Sequence, residues 1–493
     1  MNKRRTYCNP LSLPDIPRGK DEWYPFERGM FSHENKPESV TTPDYRSISD
    51  PTVFYYDNKW YLYPSYGMAW VTEDFVNWEH VRTEPYCPKY SPCITPWKGK
   101  FLLTAWKCPL YVGDTPIGPF TELGEFIMPD GGTFTPCDPC IFTDDDGRIY
   151  LYAYTGRPRP ERPKNMYSRT IGYELDRDDP RKVIRGPVTV IEQNTHEHEF
   201  ERYGANNQDE EFGWIEGPHM LKHNGRYYMI YAAPDTNAPN YCMGVYYSDS
   251  DPLSGFVYQK KNPLTIHKEG IVKGAGHGCV EHGPGGNLWA FYTIIANSTY
   301  QYERRIGMDL VDVDENGELF CPNGVTDTPQ YAPTAYTDKT PGKNSTGDLC
   351  LTAWFRPIPS SQKECREAFY ASDESSITWW QPTEDDGEPC LTYNLCATYQ
   401  VCASRVWWKD VGLEYAKGIV PGPIKYIIEG CDEGEAWFTL VDRRGLTEDR
   451  NIDYCDFDRK VCQKVRIRIT EWPKGITPAI IDFSVFGRRY VKE

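Results

Sequence analysis

Three carboxylates stand in similar local sequences and are the residues best suited to chemistry. Asp50 and Asp138 each precede a proline, and Glu216 precedes Gly-Pro. Two carboxyl groups can act together as a general acid and a general base, and a third negative charge can keep the acid protonated near neutral pH. Hydrolysis of a glycosidic bond needs such a pair on opposite faces of the sugar. We expect Asp50 and Glu216 to form the pair and Asp138 to supply the third charge.

Each carboxylate opens one copy of a repeated pattern, in which a polar residue is followed by a short apolar run, a turn and an aromatic-rich run. The copies begin at Asp50, Ser91, Asp138, Glu216 and His277. Their turns read Asp-Asn, Lys-Gly, Asp-Gly, Asn-Gly and Gly-Gly, which accept the positive φ of tight β-hairpins. Five such units predict an all-β fold with a five-bladed β-propeller. Because the first strand of each blade lines the central channel, the five opening residues should converge at one end of it.

A purely structural role is the alternative for these residues, since Asp-Pro and Glu-Gly-Pro are also turn signals. Several like charges around one pocket raise one another's pKa, and turns alone do not require that. The sequence contains no Gly-Lys-Ser/Thr phosphate loop, no Gly-x-Ser-x-Gly elbow and no His-Glu-x-x-His helix. The motifs of the other common hydrolytic and nucleotide chemistries are therefore missing.

The bulk properties of the chain exclude several classes of protein. A length of 493 residues predicts two or three domains. The net charge of −17 argues against a nucleic-acid partner, because phosphate binding needs clustered Lys and Arg. No apolar run approaches the roughly 20 residues of a membrane span, and no export signal is recognised. With 17 scattered cysteines, we expect free thiols, a cytoplasmic location and no membrane association, while a homo-oligomer stays open.

Four short motifs, in this order, resemble those of glycoside hydrolase family 43. They are Ser-Asp-Pro at 49–51, Cys-Asp-Pro at 137–139, Trp-Ile-Glu-Gly-Pro at 214–218 and Gly-His-Gly at 276–278. The resemblance spans about residues 40 to 335. It implies an inverting glycoside hydrolase in which Asp50 is the general base, Glu216 is the general acid, and Asp138 orients Glu216 and tunes its pKa.

The resemblance also implies roles for His277 and Arg304. His277 resembles the family's histidine that holds a central water or a bound calcium ion; the alternative is a hydrogen-bonded core histidine without a metal. Arg304 is expected to bond the substrate near the base, with the adjacent Arg305 as the alternative register. No cofactor is expected to be required, and a structural calcium ion is expected only at the propeller centre near His277.

The family resemblance favours an exo-acting enzyme that releases a terminal pentose from oligosaccharides, as a β-xylosidase or an α-L-arabinofuranosidase. A galactose-directed glycosidase with the same mechanism is the alternative among enzymes. A non-catalytic carbohydrate-binding propeller is the alternative outside them, and the presence of both an acid and a base argues against it.

A second β-rich domain is predicted after the propeller. We expect a catalytic propeller at 1–335, a Pro-, Thr- and Gly-rich linker at 336–348, and a C-terminal domain at 349–493. Segments at 370–380, 391–395, 422–430, 465–470 and 481–487 resemble discoidin-like (galactose-binding-like) β-sandwiches of the jelly-roll type. Such modules often bind sugars, and packing at the active-site rim is the other interpretation. Four tryptophans could belong to the core or form a ligand platform: Trp379, Trp380, Trp407 and Trp408.

Two patterns that formally suit metal binding receive other interpretations. Cys137 and Cys140 form a CxxC around Asp138, but no second pair accompanies them for zinc. The run from His196 to Glu201 lies in the long insertion before the fourth copy of the repeat. We expect that run to be a solvated loop or a rim of the substrate pocket.

Overall fold

The computed structural model of the chain is built almost entirely from β-strands. It describes residues 5–15, 47–65, 68–83, 90–158, 166–299, 301–333, 344–414, 417–434 and 436–491. Within these ranges there is no α-helix, and the helical turns are three short 3₁₀ segments, Glu199–Glu201, Pro284–Gly286 and Ala368–Ala371. The predicted all-β fold class is confirmed. Most of the predicted linker, 336–343, lies outside the described residues.

Five antiparallel sheets follow one another along the chain, each made of four consecutive strands. Blade one contains Thr52–Tyr56, Lys59–Tyr63, Met68–Thr72 and Glu79–Arg82. Blade two contains Cys93–Trp97, Lys100–Thr104, Leu110–Gly113 and Phe120–Gly124. Blade three contains Cys140–Thr143, Ile149–Pro158, Met166–Leu175 and Val183–Glu192. Blade four contains Glu216–His223, Arg226–Ala233, Cys242–Ser248 and Val257–Tyr258, and blade five contains Gly276–His282, Leu288–Ile295, Arg304–Val313 and Leu319–Phe320.

The turn between the first two strands of each blade follows the chemistry read from the sequence. Asp57 and Asn58 have φ of 50° and 61°, and Asn224 and Gly225 have φ of 51° and 82°. Both central residues of such a turn must be left-handed, which Asn, Asp and Gly accept most easily. The second strands carry the core: Leu288–Ile295 is buried along its whole length. The predicted five-bladed propeller is confirmed.

Cysteine side chains tie neighbouring blades together around the channel. The sulfur of Cys93 accepts a backbone N–H from blade three at 3.1 Å, and that of Cys140 accepts one from blade four at 3.4 Å. The sulfur of Cys279 accepts the N–H of Val53 at 3.2 Å, which joins blade five to blade one. In the described part of the chain all sixteen cysteines are free thiols. The CxxC pattern therefore contributes an inter-blade contact through Cys140.

Three smaller strand pairs lie outside the blades. Thr6–Tyr7 pairs with Gln330–Tyr331, Phe126–Ile127 pairs with Thr133–Phe134, and Arg202–Tyr203 pairs with Asp209–Gly213. The first of these pairs fastens the N-terminal segment beside the end of blade five. The last lies in the insertion between blades three and four and leads directly into Glu216.

The C-terminal domain is a β-sandwich formed by one continuous sheet of seven strands. The strands are Leu349–Cys350, Ile358–Pro359, Cys390–Val411, Lys425–Cys431, Trp437–Asp442, Ile452–Glu471 and Thr477–Arg489. The longest strand breaks register between Asn394 and Tyr399 and again between Val401 and Ala403. Such irregularities bend a strand, and the bent sheet encloses an apolar core that contains Trp380.

The two domains share apolar packing. Trp407, Ile452 and Ile481 of the sandwich belong to the same buried cluster as side chains of blades four and five, Ile294 among them. Trp380, Trp407 and Trp408 are thus core residues, and Trp379 packs at the edge of the shared cluster. No helix in the described ranges is long and apolar enough to cross a membrane.

Candidate active site

A left-handed residue lies at the start of the inner strand in every blade, just before its first residue or as its second residue. Asp50, Ser91, Asp138 and His277 have φ of 52°, 50°, 44° and 39°, and Gly217 has φ of 55°. Non-glycine residues seldom adopt positive φ, and residues held in this way cluster at functional sites. In four of the five blades this residue is not a glycine, and its backbone strain marks the same end of the channel.

The fourth blade differs from the sequence expectation by one residue. Gly217, and not Glu216, occupies the position equivalent to Asp50 and Asp138. The reason is local, because Pro218 follows Gly217 as a proline follows Asp50, Ser91 and Asp138. The missing side chain leaves room for the ring of His277, which a Cβ atom on Gly217 would meet at 2.6 Å.

Asp50 is held by hydroxyl groups from its own blade and from blade five. Its Oδ2 accepts hydrogen bonds from Ser49 Oγ at 2.8 Å and Ser65 Oγ at 2.5 Å. Its backbone N–H donates to Thr293 Oγ1 at 2.8 Å. The side chain remains 13% exposed, so a water molecule can reach it. An oriented, solvent-accessible carboxylate suits a general base.

His277 links Asp50 to Ser91 and, through it, to Asp138. Its Nδ1 lies 3.3 Å from Asp50 Oδ1, and its Nε2 lies 3.3 Å from Ser91 Oγ. Ser91 donates its single hydroxyl proton to Asp138 Oδ1 at 2.9 Å, so it can only accept from Nε2. The carboxylate of Asp50 next to the other ring nitrogen then favours a protonated imidazole. Although burial lowers the pKa of His277, the surrounding carboxylates raise it above its usual value overall.

Glu216 lies in a pocket formed by two aromatic donors. Trp214 Nε1 donates to its Oε2 at 2.8 Å, and Tyr241 OH donates to its Oε1 at 2.6 Å. Burial, followed by the charge of Asp138, raises the pKa of Glu216 to about 7, against the opposing effects of His277 and the two donors. A carboxyl group with this pKa is partly protonated at neutral pH and can act as a general acid.

Asp138 lies between the other ionisable groups and is itself buried. Burial raises its pKa, the positive charge of His277 lowers it, and the charge of Asp50 raises it further. The net direction is upward. The carboxylates of Asp138 and Glu216 influence each other at close range, so their titrations are linked.

Arg304 is buried and braces two loops. Its guanidinium donates to Asn297 Oδ1 at 3.1 Å and to Thr236 O at 2.6 Å, and the residue is 2% exposed. Contact between Arg304 and substrate stays a prediction. The neighbouring Arg305 donates instead to Asn451 of the C-terminal domain at 3.0 Å.

The insertion before blade four is anchored by a buried acid. Glu201 is fully buried, and its carboxylate accepts from Tyr231 OH at 2.5 Å and contacts His198 Nδ1 at 3.0 Å. Its backbone carbonyl accepts the N–H of Trp214 at 3.2 Å. Of the two expectations for 196–201, a solvated loop does not hold for Glu201, because its carboxylate is paired inside the fold, and a rim of the substrate pocket stays a prediction.

The residues around His277 do not by themselves form a calcium shell. Calcium takes six to eight oxygen ligands, whereas both nitrogens of His277 already have partners. Nowhere in the described ranges do three or more His, Cys, Asp or Glu side chains come together as a metal site. The calcium ion stays a prediction, and no catalytic step is derived through it.

Two of the groups in the site, Trp214 and Tyr241, received no role from the sequence. Trp214 had a signal, because residues two apart point to the same face of an extended chain, here that of Glu216. No sequence signal pointed to Tyr241, which precedes the third strand of blade four. It reaches Glu216 because the first strand pairs with the second at Glu216 and Ala232, and the second pairs with the third at Ala233 and Cys242. The pairing of three strands places it there.

Comparisons with known proteins agree with this architecture. The family model described as glycosyl hydrolases family 43 matches residues 32–319. A β-xylosidase of Xylanibacter ruminicola is 28% identical over 162 residues, covering 30% of this chain and 46% of the relative. A xylosidase/arabinosidase of Bacteroides ovatus is 22% identical over 262 residues, covering 43% of this chain and 77% of the relative.

Other similar proteins match shorter parts or the fold alone. An arabinoxylan arabinofuranohydrolase of Paenibacillus polymyxa is 27% identical over 166 residues, covering 31% of this chain and 23% of the relative. The chain thus spans less than half the length of this protein and of the β-xylosidase. The crystal structure of a thermostable family-43 glycoside hydrolase aligns with a TM-score of 0.50 at 22% identity, over 66% of this chain and 99% of that one. This likeness supports the propeller fold.

Proposed function

The chain belongs to glycosyl hydrolases family 43, and from that premise we propose that it is an inverting, exo-acting enzyme that releases a terminal pentose from oligosaccharides. The observation that carries the proposal is the raised pKa of Glu216, about 7, in the same ring of side chains as Asp50. An acid that is protonated near neutrality and a carboxylate open to water are the two groups that glycoside hydrolysis requires.

In the proposed reaction, Asp50 removes a proton from water as that water attacks the anomeric carbon. Glu216 gives its proton to the glycosidic oxygen as the bond to the leaving group breaks. Asp138 keeps Glu216 protonated through its charge. His277 contacts Asp50 at 3.3 Å and orients that carboxylate.

The pentose is proposed from the relatives, which are named as β-xylosidase, xylosidase/arabinosidase and arabinoxylan arabinofuranohydrolase. A galactose-directed glycosidase with the same groups is the second candidate. Turnover of 4-nitrophenyl β-xyloside, α-L-arabinofuranoside and the two galactosides separates these candidates. Turnover of none of them, with binding of a free sugar, would favour the non-catalytic propeller instead.

The stereochemical course is tested by following the first product with NMR. Inverting enzymes separate acid and base by about 6.5–9.5 Å to admit a water molecule, whereas retaining enzymes hold the two carboxyl groups about 5–5.5 Å apart. We expect the first sugar released to have the anomeric configuration opposite to that of the substrate. A retained anomer would contradict the role of Asp50 as a base.

Glu216→Gln and Asp50→Asn test the two roles separately. Each should lower kcat on a natural disaccharide by about 10²–10⁴-fold, because each removes one proton-transfer group. Glu216→Gln should lower kcat least on 4-nitrophenyl glycosides, because their leaving group needs little protonation. Asp50→Asn should lower kcat on both kinds of substrate. Near-normal turnover of an unactivated disaccharide by either variant would contradict the role of that residue as general acid or general base.

The identity of the C-terminal domain and the location of the protein are also proposals. The C-terminal β-sandwich is proposed to be discoidin-like, on the resemblance of five of its segments. A cytoplasmic location is proposed from the free thiols of the described chain.

A further inference from the structure

Two neighbouring aromatic side chains, one of them exposed, lie on the segment that leads into the general acid. The rings of Tyr203 and Phe212 lie 4.6 Å apart, on the short hairpin Arg202–Tyr203 and Asp209–Gly213. Tyr203 is 40% exposed, although an aromatic ring of this size is normally well covered. Phe212 supports the ring of Tyr203, and exposed area on that ring remains accessible to another molecule.

The position of this hairpin is fixed relative to Glu216 by two sets of contacts. The hairpin runs directly into Trp214, which donates to Glu216 Oε2 at 2.8 Å. Asn240 Nδ2 donates to Gly204 O at 3.0 Å, which ties the hairpin tip to the loop before blade four's third strand. That loop continues into Tyr241, which donates to Glu216 Oε1 at 2.6 Å. Both segments therefore meet at the general acid.

The same loop brings a carboxylate to the aromatic pair. Asp235 opens the loop, and its Oδ1 accepts the N–H of Asn237 at 2.9 Å. Burial, followed by the charge of Asp235 and a hydrogen bond to it, raises the pKa of Tyr203, and Glu216 contributes at longer range. Tyr203, Asp235 and Glu216 thus lie in one electrostatic neighbourhood.

A general acid in a glycosidase faces the glycosidic oxygen, so groups beyond it on the solvent side face the leaving group. An exposed aromatic ring with a carboxylate at its edge suits a sugar, because the C–H face of a pyranose packs on the ring and its hydroxyls donate to the carboxylate. We propose that Tyr203, supported by Phe212 and flanked by Asp235, is the binding subsite for the leaving-group sugar. The inference rests on the proposed glycosidase function and names the part of the substrate that Tyr203 recognises.

The test compares two substrates that share the released sugar and differ in the leaving group. One is the disaccharide or trisaccharide that the enzyme hydrolyses, and the other is the glycosyl fluoride of the same sugar and anomer, whose leaving fluoride cannot occupy a sugar subsite. Tyr203→Ala should lower kcat/KM for the oligosaccharide about tenfold, the effect of about 1.4 kcal/mol of lost transition-state binding. For the fluoride, kcat/KM should stay within about twofold.

Two control variants make the result specific. Tyr203→Phe keeps the ring and should retain most of the oligosaccharide activity. Tyr55→Ala removes another exposed tyrosine, 47% exposed and 4.8 Å from Trp60 on blade one, and should leave both substrates unchanged.

The outcomes separate the inference from the proposed function. An equal loss on both substrates in Tyr203→Ala would mean that the ring only supports Glu216, and no loss on either would mean that no leaving-group sugar binds there. Either result overturns the subsite. Failure of the unaltered protein to hydrolyse any fluoride or oligosaccharide would overturn the proposed function itself.

Discussion

At the scale of single residues, the site combines one basic and three acidic groups that influence one another electrostatically. His277 lies 3.3 Å from Asp50 and reaches Asp138 through Ser91. The positive ring offsets part of the repulsion between the carboxylates. Burial and the remaining negative charge still hold the pKa of Glu216 near 7. The arrangement thus protonates the acid and leaves an ionisable base open to water.

Asp138→Asn tests this electrostatic arrangement through the pH profile. Glu216 acts when it is protonated, so kcat/KM should fall as pH rises through the pKa of Glu216, about 7. The charge of Asp138 raises that pKa, and its removal should move the alkaline limb of the profile to lower pH. Burial is the larger cause, so the limb should remain above the usual range of a glutamate.

The pH profile of Asp138→Asn is compared with that of Asp114→Asn, which changes an exposed carboxylate paired with Lys100. The control should leave the limb in place, because an exposed charge is screened. An unmoved limb in Asp138→Asn, with only a lower melting temperature, would make Asp138 a structural turn residue.

At the scale of elements, the left-handed residue at the start of each inner strand decides where the functional side chains lie. In blade four this residue is Gly217, and its lack of a side chain admits the ring of His277. Four side chains from four blades, together with the glycine of blade four, therefore make up one end of the channel. The geometry of the site depends on backbone conformation as much as on side-chain chemistry.

Gly217→Ala should displace His277 and lower activity. The new Cβ would meet the ring at 2.6 Å, and a shift of about 1 Å at a catalytic group can cost about 10²-fold in rate. Gly225→Ala is the matched control, since it also places alanine at positive φ in blade four but meets nothing within 4 Å. Each variant should lose roughly 1–2 kcal/mol of stability through backbone strain. Only Gly217→Ala should lose activity; equal kcat/KM values for both variants would show that the ring of His277 adapts.

The blades could be predicted from the sequence because each hairpin is coded locally. Turns such as Asn224–Gly225 require residues that accept positive φ, and those residues are visible in the chain. The one-residue offset of Glu216 was also visible, since Pro218 aligns with Pro51 when the prolines set the register. Tyr241 could not be found in this way, because strand pairing alone brings it to Glu216.

At the scale of the whole molecule, the C-terminal domain holds a loop of the propeller. Lys409 lies in the long strand Cys390–Val411, is buried, and donates to Ser298 Oγ at 2.9 Å and to Thr299 Oγ1. Ser298 in turn donates to Glu303 at 2.7 Å. The next residue, Arg304, bonds the loop that leads to Tyr241. A continuous set of contacts thus connects the sandwich to the segments around Glu216.

Lys409→Met tests whether this connection matters for the site. Methionine keeps the apolar packing of the side chain against Trp379, whose ring lies 5.0 Å from Lys409 Nζ, but removes the donor to both hydroxyls. The loss of the bond to the buried Ser298 should then cost about 1–3 kcal/mol of stability. Lys425→Met is the control, because Lys425 pairs only with the exposed Glu471 in the same domain, and such pairs contribute about 0–1 kcal/mol.

Thermal melting and steady-state kinetics of the two lysine variants separate the possible roles of the interface. If the loop positions the site, Lys409→Met should lower both the melting temperature and kcat/KM, whereas Lys425→Met should change neither. Arg304 and the loop at 234–241 would carry the effect to Glu216, so the loss of kcat/KM should persist well below the melting temperature. A destabilised Lys409→Met enzyme with unchanged kcat/KM at low temperature would show that the domains stabilise each other without shaping the active site.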